Sequence, residues 1–339
     1  MLRPLEKLKA AVSGFRHGHI SSIVKNLGEH PDIEIVACSE EEPEKCASII
    51  EASGVEITHG KLDSMLKEAD FDILALGDVY TKRGGQAVKA LEAGRHVLSD
   101  KPLCTEIPEL ERIKELSGEK RLSVMAALTL RYSAALQTAR KMIQEGVIGE
   151  VANVIVTGQH GLMFRSGRPD WYFEQGMHGG TINDIMIHGI DAVPWLAGVK
   201  FSSVMSALTG HFEPAGAPFF QDIAKAFMKL ENGGGVFLDT SYKAPAGHPS
   251  GWEFSFWGTG GFMHFKTSGE ITVRRHNEPE RKIAPELLFD TGFVNDLVHE
   301  IRKTGGHQPV LSTRECLIST SNTLAVNEAA AAGKSAELE

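Results

Sequence analysis

The 339-residue chain is poor in several things, and each scarcity removes a class of protein. Its four cysteines, Cys38, Cys46, Cys104 and Cys316, show no C-x-x-C or C-x-x-H spacing, so neither a disulfide framework nor a structural zinc site is indicated. No run of about 18 apolar residues occurs, and the opening "MLRPLEKLKAAV" carries no apolar stretch of signal-peptide length, so a cytoplasmic location and no membrane role are expected. Basic residues are in deficit: 35 Lys and Arg against 44 Asp and Glu give a formal net charge of -9, which opposes a sequence-independent grip on nucleic acid or an anionic membrane. A small-molecule partner is the expectation that remains.

What is present suits an ordinary globular protein, with 42% apolar and 23% charged residues and a length that favours two domains. From residue 8 to about 128, short apolar runs alternate with helical patterns, the signature of βαβ units. "AAVSG", "IEIVACS", "DILALGD", "RHVLSD" and "LSVMAAL" read as strands; "GHISSIVKNLGEH", "PEKCASIIEAS", "TKRGGQAVKALEAG" and "PELERIKELSG" read as helices. Beyond residue 150 longer β-type segments take over, at 150–160, 202–212, 222–230, 235–243, 251–258 and 261–275, joined by turn signals such as "ENGGG" and "GTGG". The expected fold is α/β: an N-terminal doubly wound parallel sheet of Rossmann type over 1–125, then an α+β domain over 126–339 with an open, mainly antiparallel sheet. Two amphipathic helices close the chain.

Strand one runs into "SGFRHGHI", a Gly-led turn opening a helix, where a doubly wound fold cradles a pyrophosphate. Gly14 stands as the first glycine of G-x-G-x-x-G, but Arg16 occupies the second place and Gly18 arrives one residue early, so a plain tight turn is the competing reading. Strand two ends in "SEEEPE". Glu40 lies near the distance at which an acid meets the ribose hydroxyls of a dinucleotide, and three acids together favour NAD(H) over NADP(H); an acidic helix start reads the same way. "HVLSDKPLCT" sets Lys101 just beyond the carboxyl end of a strand, the ligand side of an open α/β sheet, with Pro102 restricting the backbone. Many lysines are only surface charges.

The stretch "HGGTINDIMIHGIDAVPWLAG", residues 178–198, places Asp184, His188, Asp191 and Trp195 on one helical face. A carboxylate and an imidazole one turn apart form an acid–base pair. A helix cap at Asn183 or Asp184 and a satisfied core histidine at His188 are the structural alternatives, and Pro194 should kink or interrupt the helix. A metal at His160, His178, Asp184 and His188 lacks compact ligand spacing, and no metal is expected. His160 and His178 then read as polar groups at a cleft edge.

Taken together these motifs resemble the Gfo/Idh/MocA family of NAD(P)-dependent oxidoreductases. Its E-K-P appears as Asp100-Lys101-Pro102, and its G-G-x-x-x-D-x-G-x-H-x-x-D as Gly179, Gly180, Asp184, His188 and Asp191. Further similarities are "LRYSAALQTARKMIQEGVIGEV" and "GTGGFMHF". The usual A-T-P-N-x-x-H has become "LGDVYTKRG", and Met186 replaces a glycine. The resemblance implies reversible oxidation of a secondary hydroxyl on a sugar, sugar derivative or cyclitol, with Lys101 polarising that hydroxyl, His188 as general base and Asp184 holding substrate. It implies a cofactor site for NAD at Gly14, Phe15, Arg16, His17, Glu40, Gly77, Asp78, Asp100, Lys101 and Pro102. Arg131, Trp171 and Tyr172 are candidates for the substrate wall beside Lys101, Asp184 and His188. It also implies a homodimer or homotetramer formed through the second sheet, and a last helix packing back on the first domain. Two other activities fit the scaffold: an NAD-dependent glycoside-cleaving reaction with transient oxidation, or a non-catalytic sugar or dinucleotide sensor.

Overall fold

A computed structural model describes residues 6–164, 167–212, 214, 216–245, 251–289, 292–304 and 309–338. The chain forms two compact units: one of residues 1–127, 176–178 and 292–320, the other of 128–175, 179–291 and 321–339.

The first unit is built on five parallel strands, β1 (Leu8–Ser13), β2 (Ile33–Ser39), β3 (Ile73–Leu76), β4 (His96–Ser99) and β5 (Val124–Ala126), in the order β2-β1-β3-β4-β5. Ala10, Ala11, Val12, Ile73, Leu74, Ala75 and Leu76 are fully buried, as unbroken apolar strands covered on both faces must be. The crossovers are α1 (His19–Glu29), α2 (Ala47–Ser53), α3 (Leu62–Glu68), α4 (Tyr80–Glu92) and α5 (Ile107–Lys120). Helix α3 had no counterpart in the sequence reading; its seven residues are too short to show a helical period. The strand order reverses between β1 and β3, so the switch point of the sheet lies at their carboxyl ends.

The second unit begins with α6 (Ala134–Gln144) and is organised by a nine-stranded sheet: β6 (Val151–Gly161), β7 (Phe201–Gly210), β8 (Ile223–Leu230), β9 (Gly235–Ala244), β10 (Gly251–Gly258), β11 (Gly261–Lys266), β12 (Ile271–Arg275), β13 (Arg281–Ile283) and β14 (Ala336–Glu337). Every pairing is antiparallel except β6 with β9, so the sheet is mixed and mainly antiparallel. The segment 261–275, read from sequence as one strand, is a hairpin of two, because Gly269 adopts a left-handed φ of 128° between them. Helix α7 (Ile187–Ala197) packs on the inner face, where Gly189 lets Leu238, Trp252 and Val156 approach its backbone. Helix α8 (Phe293–Arg302) returns to the first unit; of α9 (Thr313–Ala332), residues 313–320 group with the first unit and 321–332 with the second. No helix among the described residues is long and apolar enough to cross a membrane.

Candidate functional site

At the switch point the backbone leaves no room for side chains. Gly14 has φ 79°, and a Cβ there would come within 2.6 Å of the Asp78 backbone; a Cβ on Gly77 would come as close to the Gly14 carbonyl oxygen. The turn is tied on both flanks, since Gly14 N–H donates to Ser39, Arg16 N–H to Gly77 and Gly77 N–H to Ser13. The two glycines let the loops after β1 and β3 pack on each other just ahead of the α1 N-terminus, whose dipole favours an anion, so the altered turn still fits a dinucleotide at this place.

Glu40 is buried and its two oxygens accept from the N–H groups of Phe15 (2.7 Å) and Glu42 (3.0 Å). It therefore braces the turn. Arg16 pairs with Glu42 at 2.8 Å and lies 3.9 Å from Glu40. Lys45 and Arg16 together hold the Glu42 carboxyl down at about 2.

Beyond β4 lies a dense network around one buried carboxylate. Asp100, 1% exposed, accepts from His17 Nδ1 (2.9 Å), His19 Nδ1 (3.2 Å), Arg83 Nη2 (3.0 Å) and the Lys101 backbone N–H (2.8 Å). Burial opposes its charge, but Arg83, His19 and His17 hold the carboxyl well below the usual range. Burial in turn pushes the His17 imidazole down to about 4 despite its contact with Asp100, so at neutral pH His17 is uncharged. Its Nε2 lies 3.4 Å from the Tyr80 hydroxyl. The Tyr80 ring is approached by Arg83 (4.6 Å), Lys101 Nζ (5.7 Å) and the His178 ring (5.4 Å). His178 thus belongs with the first unit. The Lys101–Pro102 peptide bond is cis.

Among the described residues one group has metal-ligand spacing, His17, His19 and Asp100, with ligand atoms within 4.8 Å of one another. The Arg83 guanidinium at 3.0 Å already balances that carboxylate, and the chemistry of the set is satisfied by hydrogen bonds.

In the second unit, α7 is preceded by one π-helical turn, Ile182–Met186, which Thr181 separates from Gly179 (φ 75°) and Gly180 (φ 91°). Single π turns are frequent at functional sites because they re-aim the side chains within a helix. The expected cap is not found: Asn183 Nδ2 donates to the Gly179 carbonyl at 2.8 Å, and buried Asp184 accepts from the Tyr242 hydroxyl. Burial and the facing Asp184 push the Tyr242 phenol well above its ordinary value, keeping it a proton donor. The His188 ring meets Trp252 edge-on at 5.7 Å, and His160 meets the same indole at 6.0 Å. Asp191 takes Arg131 through two bonds of 2.9 and 2.7 Å, both residues buried. Trp195 lies under Arg131 (5.6 Å) and Arg140 (4.8 Å). Pro194 does not interrupt the helix, which runs on to Ala197 and closes at Gly198 in left-handed conformation.

The turn Gly14-Phe15-Arg16-His17, Glu40, Gly77-Asp78 and Asp100-Lys101-Pro102 all sit at strand ends of the first unit. Asp184, His188, Arg131, Trp171 and Tyr172 belong to the second unit. Trp171 and Tyr172 are 4% and 1% exposed, and Tyr172 shares the Arg168 guanidinium with Tyr242 at 5.3 and 5.4 Å. Residues not foreseen are Tyr80, Arg83, Arg168, Tyr242 and Trp252. Only Arg83 carried a local signal: a charge on the stripe Tyr80, Gly84, Ala87, Leu91 that α4 buries.

Residues 9–128 match the model "Oxidoreductase family, NAD-binding Rossmann fold", and residues 136–264 match "GFO/IDH/MocA C-terminal domain". The matched segments are the doubly wound first unit and much of the second, so the chain is of the oxidoreductase class with an NAD-binding fold. The chain belongs to the GFO/IDH/MocA family, and its first unit is the NAD-binding Rossmann fold. It is 27% identical to levoglucosan dehydrogenase of Pseudarthrobacter phenanthrenivorans over 50% of this chain, spanning only 44% of that enzyme's length. It is 24% identical to 1,5-anhydro-D-fructose reductase of Ensifer adhaerens over 90% of this chain and 91% of the reductase, and 22% identical to inositol 2-dehydrogenase of Rhizobium meliloti over 85% and 81%. In three dimensions it resembles an oxidoreductase domain protein from Kribbella flavida (TM-score 0.80, 20% identity, 99% and 100% covered). It resembles levoglucosan dehydrogenase in complex with NADH and L-sorbose to a similar degree (TM-score 0.79, 20% identity, 99% and 100% covered). At these identities the likeness is one of fold.

Proposed function

We propose that the chain is an NAD-dependent dehydrogenase that acts reversibly on a secondary hydroxyl of a sugar, sugar derivative or cyclitol. The observation that carries this reading is the pair Asp184 and His188, one at the π turn and one a turn later on α7, in a GFO/IDH/MocA C-terminal domain whose partner unit keeps Lys101 just past β4. The relatives named above act on an anhydro-sugar, an anhydro-keto-sugar and a cyclitol by their names, which supports the substrate class.

Bound NAD+ supplies the hydride acceptor. The N-terminus of α1, which opens directly after the Gly14 turn, would hold its diphosphate, because the helix dipole favours an anion there. Lys101 places an ammonium on the reacting hydroxyl and stabilises negative charge on that oxygen as its proton leaves. His188 takes the proton as general base. Asp184, supported by Tyr242, holds the substrate, while Arg131, Trp171 and Tyr172 form its wall, Arg131 through its buried pairing with Asp191. Glu40, Glu41 and Glu42 at the end of β2 repel a 2'-phosphate, and the pairing of Arg16 with Glu42 leaves that cation engaged, so NAD is preferred to NADP. On the face of the nine-stranded sheet, Ile155, Phe237 and Phe227 lie side by side on β6, β9 and β8 and are 36–43% exposed; this apolar row supports a homodimer or homotetramer through that face.

The test is nicotinamide absorbance with levoglucosan and myo-inositol plus NAD+, and with 1,5-anhydro-D-fructose plus NADH. Turnover of at least one is expected. NADH binding with no turnover in an extended panel of sugars, cyclitols and keto-sugars would replace this reading with the sensing role.

A further inference from the structure

No fully buried side chain among the described residues is larger than Arg83, and burying a guanidinium is costly unless it is paired and hydrogen-bonded. Here each of its three nitrogens donates. Nε donates to the Asp78 carbonyl (2.7 Å), Nη1 to the Lys101 carbonyl (2.6 Å) and Nη2 to the Asp100 carboxylate (3.0 Å). The plane lies against the Tyr80 ring at 4.6 Å. Helix α4 is itself held close to the segment after Pro102, since a Cβ on Gly84 would come within 2.7 Å of the Cys104 Cβ.

The consequence falls on Lys101. Its carbonyl is bound by Arg83, and its N–H donates to Asp100 at 2.8 Å, the carboxylate that Arg83 pairs. Both backbone polar groups of Lys101 are therefore fixed by one buried ion pair, which sets the direction in which its Cα–Cβ bond leaves the chain. A buried ion pair seldom stabilises a protein more than apolar residues of the same volume would, so stability alone does not account for it. In this chain "LGDVYTKRG" stands where the family pattern has A-T-P-N-x-x-H, and Arg83 comes from that altered segment.

We infer that Arg83 is a positioning residue, the clamp that aims the Lys101 ammonium at the reacting hydroxyl. The inference rests on the reading of Lys101 given above. It goes beyond that reading in assigning the aim of the amine to a side chain that touches neither substrate nor cofactor.

The test uses Arg83→Lys, Arg83→Gln and Arg83→Ala in the full-length protein, with whichever of levoglucosan, myo-inositol or 1,5-anhydro-D-fructose is turned over fastest. Each variant is first checked for folding by circular dichroism. Arg83→Gln should lower kcat about ten- to hundredfold, the effect of misplacing a catalytic group by about 1 Å, with KM and the Kd for NADH within about threefold of wild type. Arg83→Lys, able to reach only some of the three acceptors, should fall between. Millimolar guanidinium ion should restore part of the kcat of Arg83→Ala and none of that of Lys101→Ala. Folded Arg83→Lys and Arg83→Gln proteins with unchanged kcat, or with a loss confined to NADH affinity, would overturn the inference; should Arg83→Ala fail to fold, these two variants decide. A Lys101→Ala protein of full activity would instead remove the reading of Lys101 itself.

Discussion

The strand ends of the first unit and the π-led helix of the second both hold buried carboxylates, by different means. Around Asp100 the first unit gathers two imidazoles, a guanidinium and a backbone N–H on one carboxylate, with sequence separations of 83, 81, 17 and 1. Along the π turn and α7 the second unit instead spaces its polar residues, each against a different side chain: Tyr242 for Asp184, Trp252 for His188 and Arg131 for Asp191. The first arrangement converges on one carboxylate, and the second is spread along the helix. Substitutions should therefore spread their effects in the first unit and stay local in the second.

The sharpest way to break the first arrangement is at its base. Gly14→Ala puts a Cβ into the Asp78 backbone at a left-handed φ. We expect a loss of NADH affinity of at least about tenfold and a fall in stability of about 2 kcal/mol or more, measured by fluorescence titration and denaturant unfolding. Unchanged affinity would show that the turn does not carry the dinucleotide. In the second unit, Tyr242→Phe removes the donor facing a buried carboxylate while keeping the ring. It should lower kcat about tenfold with NADH affinity unaltered, since a lost hydrogen bond to a charged group costs about 1.5–3 kcal/mol; a parallel change in NADH affinity would contradict the local character of this pair.

A pH titration separates the units in a different way. His17 is held at about 4 in the folded protein against an ordinary 6.5, so the unfolded chain binds more protons between those values and stability falls as pH drops from about 6.5 to about 4. The contribution is at most about 3 kcal/mol, and His17→Asn should flatten that limb of the stability curve. An equally steep limb in His17→Asn would assign it to other groups. The smallest expected effect is at Glu40, which braces the Phe15 N–H. Glu40→Ala should weaken NADH by a few fold more than NADPH, as lost ribose contacts predict. Equal weakening of both would leave Glu40 with its bracing contact alone.

How much was legible follows the same division. The five apolar strands of the first unit could be read because each is a short buried run between turn residues, and the pair at 184 and 188 because helical spacing is a local property. The partners could not. Tyr242 lies 58 residues from Asp184, on β9, and nothing in "TSYKA" marks it for a carboxylate. Arg83 meets Asp100 only because β3 and β4 are neighbours in the sheet. The π turn was hidden because one extra residue in a helical turn leaves the apolar pattern nearly unchanged, although it decides where Asp184 points.

The central claim is that Lys101 and His188 act on one hydroxyl during hydride transfer to NAD+. It is tested most directly by single-turnover formation of NADH from the best substrate of the panel, alongside NADH titration, in wild type, Lys101→Ala and His188→Ala. The account predicts that each substitution slows NADH formation by about a hundredfold or more while NADH affinity stays within about threefold. Wild-type rates in both variants would contradict it.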